Sequence, residues 1–115
     1  MQQDCIFCKI AANEIPVKAV YEDEDIIAFP DINPAAPVHL LVIPKQHITN
    51  ILEATPADAA MLGRLMAAIP KIAAIAGLTE DGFRTIINTK DNGGQTVYHL
   101  HLHILGGRFM TWPPG

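Results

Sequence analysis

The sequence predicts an antiparallel α+β domain. Three observations carry that expectation. Short apolar strand-like runs come both before and after one long helix, an order that favours an antiparallel sheet. The helix has its own start and stop signals. A late segment, His99-Leu100-His101-Leu102-His103, alternates polar and apolar residues with the period of a strand.

Asp4 to Ile10 reads as a short helical turn. Val17 to Glu22 and Ile26 to Phe29 read as two strands joined by the acidic turn Asp23-Glu24-Asp25. Pro30 to Pro37 holds three prolines and reads as a loop. Val38 to Ile43 is a nearly continuous apolar run stopped by Pro44, which suggests a central strand covered on both faces. Thr55 is a good N-cap, Pro56 suits the first helical position, and Asp58 completes a capping-box-like pattern. Met61, Leu62, Leu65, Met66, Ile69, Ile72, Ala73 and Ala76 then recur at helical spacing until Gly77. Pro70 conflicts locally with that helix, because it removes one hydrogen bond. Phe83 to Asn88 reads as a strand, Lys90 to Gly94 as a turn, and Tyr98 to Leu105 as the last strand. The tail from Gly106 to Gly115 has no regular pattern. No repeat or linker divides the 115 residues, so a single domain over 1–115 is expected.

Half of the residues are hydrophobic, and a chain of this size gains from burying surface in a dimer. The net charge of −4 and the lack of a basic patch argue against a nucleic-acid polymer as partner. A small phosphorylated ligand fits better, since backbone N–H groups can hold phosphate without Lys or Arg. No apolar run approaches the length of a membrane span. The start, Met1-Gln2-Gln3-Asp4, has neither the basic region nor the apolar run of a signal peptide. Cys5 and Cys8 are too close together for a secreted disulfide framework, so a reduced, cytoplasmic setting is expected.

The histidine segment is the strongest chemical signal. On a strand, His99, His101 and His103 share one face, about 6.5–7 Å apart, and the leucines share the other. His39 opens another apolar strand and could add a fourth imidazole. Just upstream stand Asn88 and Gly93-Gly94-Gln95-Thr96. The glycines allow close backbone approach, and Gln95 and Thr96 offer neutral donors suited to phosphate oxygens. Imidazole is a good nucleophile near neutral pH. Cys5 and Cys8 have C-x₂-C spacing, which grips a zinc ion in some proteins and is a redox pair or two small buried residues in others. His47 and His99 are imidazoles available to complete a tetrahedron.

The segment from Gly94 to His103 resembles the signature of the histidine triad family, His-φ-His-φ-His-φ-φ with φ apolar. Ile6-Phe7-Cys8-Lys9-Ile10, Glu14-Ile15-Pro16, Phe29 to Pro34, His39 to Ile48, Gly106-Gly107-Arg108 and Trp112-Pro113-Pro114-Gly115 resemble its Hint branch in order and spacing. The resemblance implies a five-stranded antiparallel sheet with a long helix, two copies of which join into a ten-stranded sheet in a homodimer. It implies hydrolysis of purine nucleoside phosphoramidates through a nucleotidyl-histidine, releasing AMP or GMP, with no metal needed for catalysis. His101 matches the nucleophile, and His39 and His103 the other catalytic histidines. Asn88, Gly94, Gln95 and Thr96 match phosphate-contacting positions, and Asp31 the carboxylate that holds the ribose. Ile6, Phe7, Ile10, Phe29 and Ile32 match the walls of the base pocket, and Trp112 a tail placed near the partner's site. Cys5, Cys8, His47 and His99 match a structural zinc site of several bacterial-type members. Pro30 stands where some Hint proteins have His, and Thr96 where many have Ser, so the pocket rim and leaving-group handling differ. Two other readings compete: another branch of the superfamily that cleaves dinucleoside polyphosphates or transfers nucleotidyl groups, where the third imidazole His103 argues against the branches that have Gln there, and a non-catalytic zinc module, which would leave Asp31 and the phosphate-side donors without a role.

Overall fold

The computed structural model describes residues 4–115. Residues 1–3, on which the signal-peptide reading partly rests, lie outside the described residues. Helix α1 (Ile6–Ala11) is followed by strands β1 (Tyr21–Glu22), β2 (Ile26–Pro30) and β3 (Val38–Pro44). Two 3₁₀ turns, Ile51–Glu53 and Pro56–Asp58, lead into α2 (Ala59–Ile75), then β4 (Phe83–Ile86), the one-turn α3 (Lys90–Gly93) and β5 (Leu102–Gly106). The strands form one antiparallel five-stranded sheet in the order β1-β2-β3-β5-β4.

Period-two alternation sends the side chains of β2 and β3 to two different cores. Ile26, Ala28, Leu40, Val42, Leu102 and Ile104 meet the buried stripe of α2, built from Met61, Leu65, Ala68, Ile69, Ile72 and Ala73. On the opposite face Ile27, Phe29, Leu41 and Ile43 pack with Phe7 and Ile10 of α1. The apolar run of β3 is thus covered on both sides, as its composition predicts. Pro70 is accommodated on the exposed side of α2, where only one backbone donor is lost. At the helix start Asp58 Oδ2 accepts from the Thr55 amide at 2.9 Å.

Three strands are shorter than the sequence suggests: β4 ends at Ile86 and not at Asn88, and in the other two proline is the reason. The Val17–Glu22 segment pairs only through Tyr21 and Glu22. The Ala28 carbonyl accepts from Val20 and so points toward β1. Two residues on, Pro30 would have to offer an N–H to the same side and has none. Likewise β5 begins at Leu102, not Tyr98, because its ladder with β3 stops at Val42↔Leu102. The next even position on β3 is Pro44, which again has no N–H to offer. Leu100 N donates to Ile48 O at 2.7 Å instead. The histidine segment still alternates faces: Leu100 joins the α2 core with Leu102, while His99 and His101 lie among the α1-side residues. The expected turn at Lys90 is the short helix α3, closed by Gly94 at φ +78°, a left-handed conformation that favours glycine.

Candidate active site

The α1 face of the sheet carries a cavity of about 400 Å³. That volume lies within the usual range for a small-molecule site. Ile6, Phe7, Ile10, Phe29, Asp31, Ile32, Thr96, His101 and His103 all line it. Ile15, Pro16, Val17, Pro30, Leu41 and Val97 complete the wall. Most were legible only as ordinary core or loop residues. Val17 reaches the wall because its segment leaves the sheet. Ile6, Thr96 and Val97 also border a second, more open hollow beside Cys5 and His47.

His101 is buried at the cavity's inner end. Its Nδ1 lies 2.7 Å from the His99 carbonyl oxygen. A carbonyl can only accept, so Nδ1 carries the proton and Nε2 keeps a bare lone pair. Burial lowers the His101 pKa, against the opposing effects of that carbonyl and of Asp31, so the ring is unprotonated at neutral pH. Phe7 packs edge-on against it, with centroids 5.1 Å apart. His103 lies beside it, centroid to centroid 4.9 Å. His39 and His103 occupy diagonal positions of the β3–β5 ladder, since His39 pairs with Leu105 and Leu41 with His103. Their rings meet at 2.9 Å between His39 Nε2 and His103 Nδ1, and Asp31 Oδ2 stands 3.4 Å from the same His39 nitrogen. Burial, reinforced by the neighbouring His101 and His39 rings, holds the His103 pKa down to about 4. The Asn88 amide is 3.5 Å from His103 Nε2.

The Gly-rich turn differs from the expected cradle. Gly94 N donates to Asp91 O and Gln95 N to Lys90 O, each at 3.0 Å. The Gln95 side chain is buried; its Nε2 donates to Thr49 O and Val97 O, and its Oε1 accepts from Lys90 N. Gln95 is therefore a loop tie with its donors spent, and Gly94 serves the turn geometry. Neither is free to donate to phosphate. Thr96, exposed at the cavity edge, keeps its place as a candidate donor. Trp112 is 80% exposed and lies outside this chain's cavity. Its ring lies 5.8 Å from the Arg84 guanidinium, which also donates to Thr111 O at 3.0 Å.

On the other side of Phe7, Cys5, Cys8, His47 and His99 bring four ligand atoms within 4.8 Å of one another. The Cys5 Sγ, Cys8 Sγ and His47 Nδ1 atoms lie 3.4, 3.6 and 3.2 Å from His99 Nδ1, and Cys8 Sγ lies 3.2 Å from His47 Nδ1. With ordinary Zn–S and Zn–N bonds, a tetrahedron has N–N edges of about 3.3 Å and N–S edges of about 3.5 Å. The cluster matches those edges. His99 Nε2–H donates to Pro44 O at 2.8 Å, which leaves Nδ1 bare and aimed at the cluster. The proline that ends β3 thereby orients a candidate ligand, a backbone role with no signature in the sequence. Burial holds the His99 pKa down to about 4.

The chain is similar to known proteins in sequence and in fold. The family model described as HIT domain matches residues 12–110. An uncharacterized HIT-like protein of Synechococcus elongatus is 59% identical over 115 residues, all of both chains. A 14 kDa zinc-binding protein of Zea mays is 49% identical, covering 96% of this chain and 87% of its own. The crystal structure of a HIT family hydrolase from Legionella pneumophila superposes with a TM-score of 0.94 at 52% identity, over 97% of this chain and 100% of that one. With the fold, the histidine row and these relatives in agreement, the chain belongs to the HIT family.

Proposed function

We propose that the chain is a purine nucleoside phosphoramidase that hydrolyses nucleotides through a nucleotidyl-histidine intermediate, releasing AMP or GMP. The observation that carries this reading is the bare Nε2 of His101, buried at the end of an apolar cavity whose rim holds Asp31. The purine lies among Phe7, Ile10 and Phe29, and Asp31 holds the ribose hydroxyls. His101 Nε2 attacks phosphorus and forms a P–N bond. The substrate's P–N bond breaks, and the leaving amine takes the bonding pair and a proton from solvent. Water then attacks phosphorus, loses its proton to solvent, and returns the lone pair to His101. Thr96 and Asn88 stabilise the phosphoryl charge by hydrogen bonding.

Zinc would be held by Cys5, Cys8, His47 and His99. When bound, it supplies a structural cross-link between the start of α1 and the histidine segment, with no part in the bond-making steps. Mixing the protein with an aminoacyl adenosine phosphoramidate should release AMP with and without a chelator. No AMP, from folded protein and fresh substrate, would refute the activity.

The cavity wall is apolar, so it offers stacking and dispersion and few groups to read the base edge. Adenosine and guanosine substrates should differ in kcat/KM by no more than about 2–3 kcal/mol. A larger preference would mean that polar rim groups select the base.

The working unit is a homodimer. Strand β4 is an edge of the sheet, and Phe83, Ile87 and Trp112 are exposed along or beyond it. Pairing β4 with a second copy would cover that edge and bring Trp112 to the partner's cavity. Deleting residues 111–115 should therefore change the ranking of leaving groups more than it changes Tm. An unchanged ranking would contradict this placement of Trp112.

A further inference from the structure

The hydrogen bond between the two histidines beside His101 has a fixed direction. The Ala35 amide nitrogen lies 2.9 Å from His39 Nδ1. An amide N–H can only donate, so His39 Nδ1 is bare and the neutral ring carries its proton on Nε2. That proton points at His103 Nδ1, 2.9 Å away, with Asp31 Oδ2 at 3.4 Å as a second acceptor. His103 Nδ1 is then an acceptor, and its own proton must sit on Nε2. At 3.5 Å the Asn88 amide is at the limit of hydrogen bonding, and its two ends exchange by rotation. It follows His103 and does not set it.

The loop carrying Ala35 is held from outside. Arg108 Nη2 donates to Ala35 O and Nη1 to Phe109 O, both at 3.2 Å. Gly107, at φ +90°, lies so close to Pro37 that an added Cβ would stand 2.8 Å from the Pro37 Cβ. At the loop's other end Asp31 Oδ1 accepts from Asn33 N at 2.8 Å. The segment after β5 thus clamps the Ala35 peptide against the histidines.

We propose that Ala35, through its backbone amide, and Arg108, which clamps its loop, are positioning residues that lock His103 as a neutral ring with its proton on Nε2. His103 is therefore a fixed hydrogen-bond donor beside the phosphate and not a base. Such a donor stabilises charge on phosphoryl oxygens without taking a proton from water, as a neutral imidazole does in other enzymes. His101 is left as the one bare imidazole nitrogen facing the reaction. The same bond argues against reading Asp31, His39 and His103 as a cation site. A metal on His39 Nε2, with Nδ1 still accepting from Ala35, would require an imidazolate.

The consequence for turnover rests on the proposed hydrolase reading, but the tautomer does not. The test is ¹⁵N NMR of histidine-labelled dimeric protein near neutral pH, with no substrate and then with AMP. Wild type should show a directly bonded proton on Nε2 of both His39 and His103, with both Nδ1 atoms acceptor-like. Arg108→Ala should mix the His103 tautomers and lower kcat about tenfold, with KM within about twofold. Arg108→Lys, which keeps a donor for the Ala35 carbonyl, should recover most of both. Ala35→Pro, which removes the N–H, should give the larger tautomer change. If that variant fails to fold, the exposed Arg108 variants carry the test. A wild-type His103 protonated on Nδ1 would overturn the proposal. So would an Arg108→Ala protein whose kcat falls with its tautomers unmoved, or one in which neither changes. Loss of AMP release by wild type with the expected tautomers would instead refute only the hydrolase reading.

Discussion

Replacing His101 with alanine should lower turnover by at least about 10⁴-fold, because no other group can take over an obligatory covalent step. Neither of the adjacent rings is placed to substitute. His99 directs its bare nitrogen at the two cysteines and His47, and His103 directs Nδ1 at His39. The substitution removes a ring packed against Phe7 but leaves Ile10, Phe29 and Asp31 around the nucleoside. AMP affinity should accordingly change by less than about tenfold, or 1.4 kcal/mol. Calorimetry with AMP and an activity assay on the same preparation check both halves. Wild-type-like turnover in a clean His101→Ala preparation would end the mechanism.

The Cys5→Ser, Cys8→Ser double variant should lose about one zinc per chain, measured by metal analysis of protein purified without chelator. The four candidate ligands come from residues 5–8, 47 and 99, so a bound ion would close long loops and tie the Phe7 and Ile10 wall to the sheet. Losing it should cost about 2–3 kcal/mol, or roughly 10 °C or more in Tm. Wild type stripped by a chelator should show the same fall, which separates the metal from the packing of the buried Cys8. Hydrolysis should persist in the folded fraction, since His101 is not one of the four cluster residues and its hydrogen bond there is to the His99 backbone carbonyl. Loss of all hydrolysis from a still-folded, zinc-free protein would move the ion into the catalytic machinery.

Much of this architecture is legible in the residues. Alternation in His99–His103 identifies its two faces, the continuous apolar run Val38–Ile43 identifies a strand covered on both sides, and Thr55-Pro56 with Gly77 brackets the long helix closely. What is not legible is mostly backbone. The missing N–H groups of Pro30 and Pro44 shorten two ladders, yet a proline at a strand end gives no hint of which side its absent donor would face. The Pro44 carbonyl orients His99, and the Ala35 amide orients His39. Neither residue's side chain advertises that role. Gln95 misled for the opposite reason: a neutral amide next to a Gly-Gly pair suits phosphate, but three short bonds to Lys90, Thr49 and Val97 consume it.

The stereochemical course at phosphorus tests the central claim most directly. Each in-line displacement inverts the phosphorus centre, so attack by His101 followed by attack by water gives two inversions. A nucleoside phosphoramidate made chiral at phosphorus with sulfur, and hydrolysed in ¹⁸O-labelled water, should yield product with net retention. Net inversion would mean that water attacks the substrate directly, and the bare nitrogen of His101 would then not be the nucleophile.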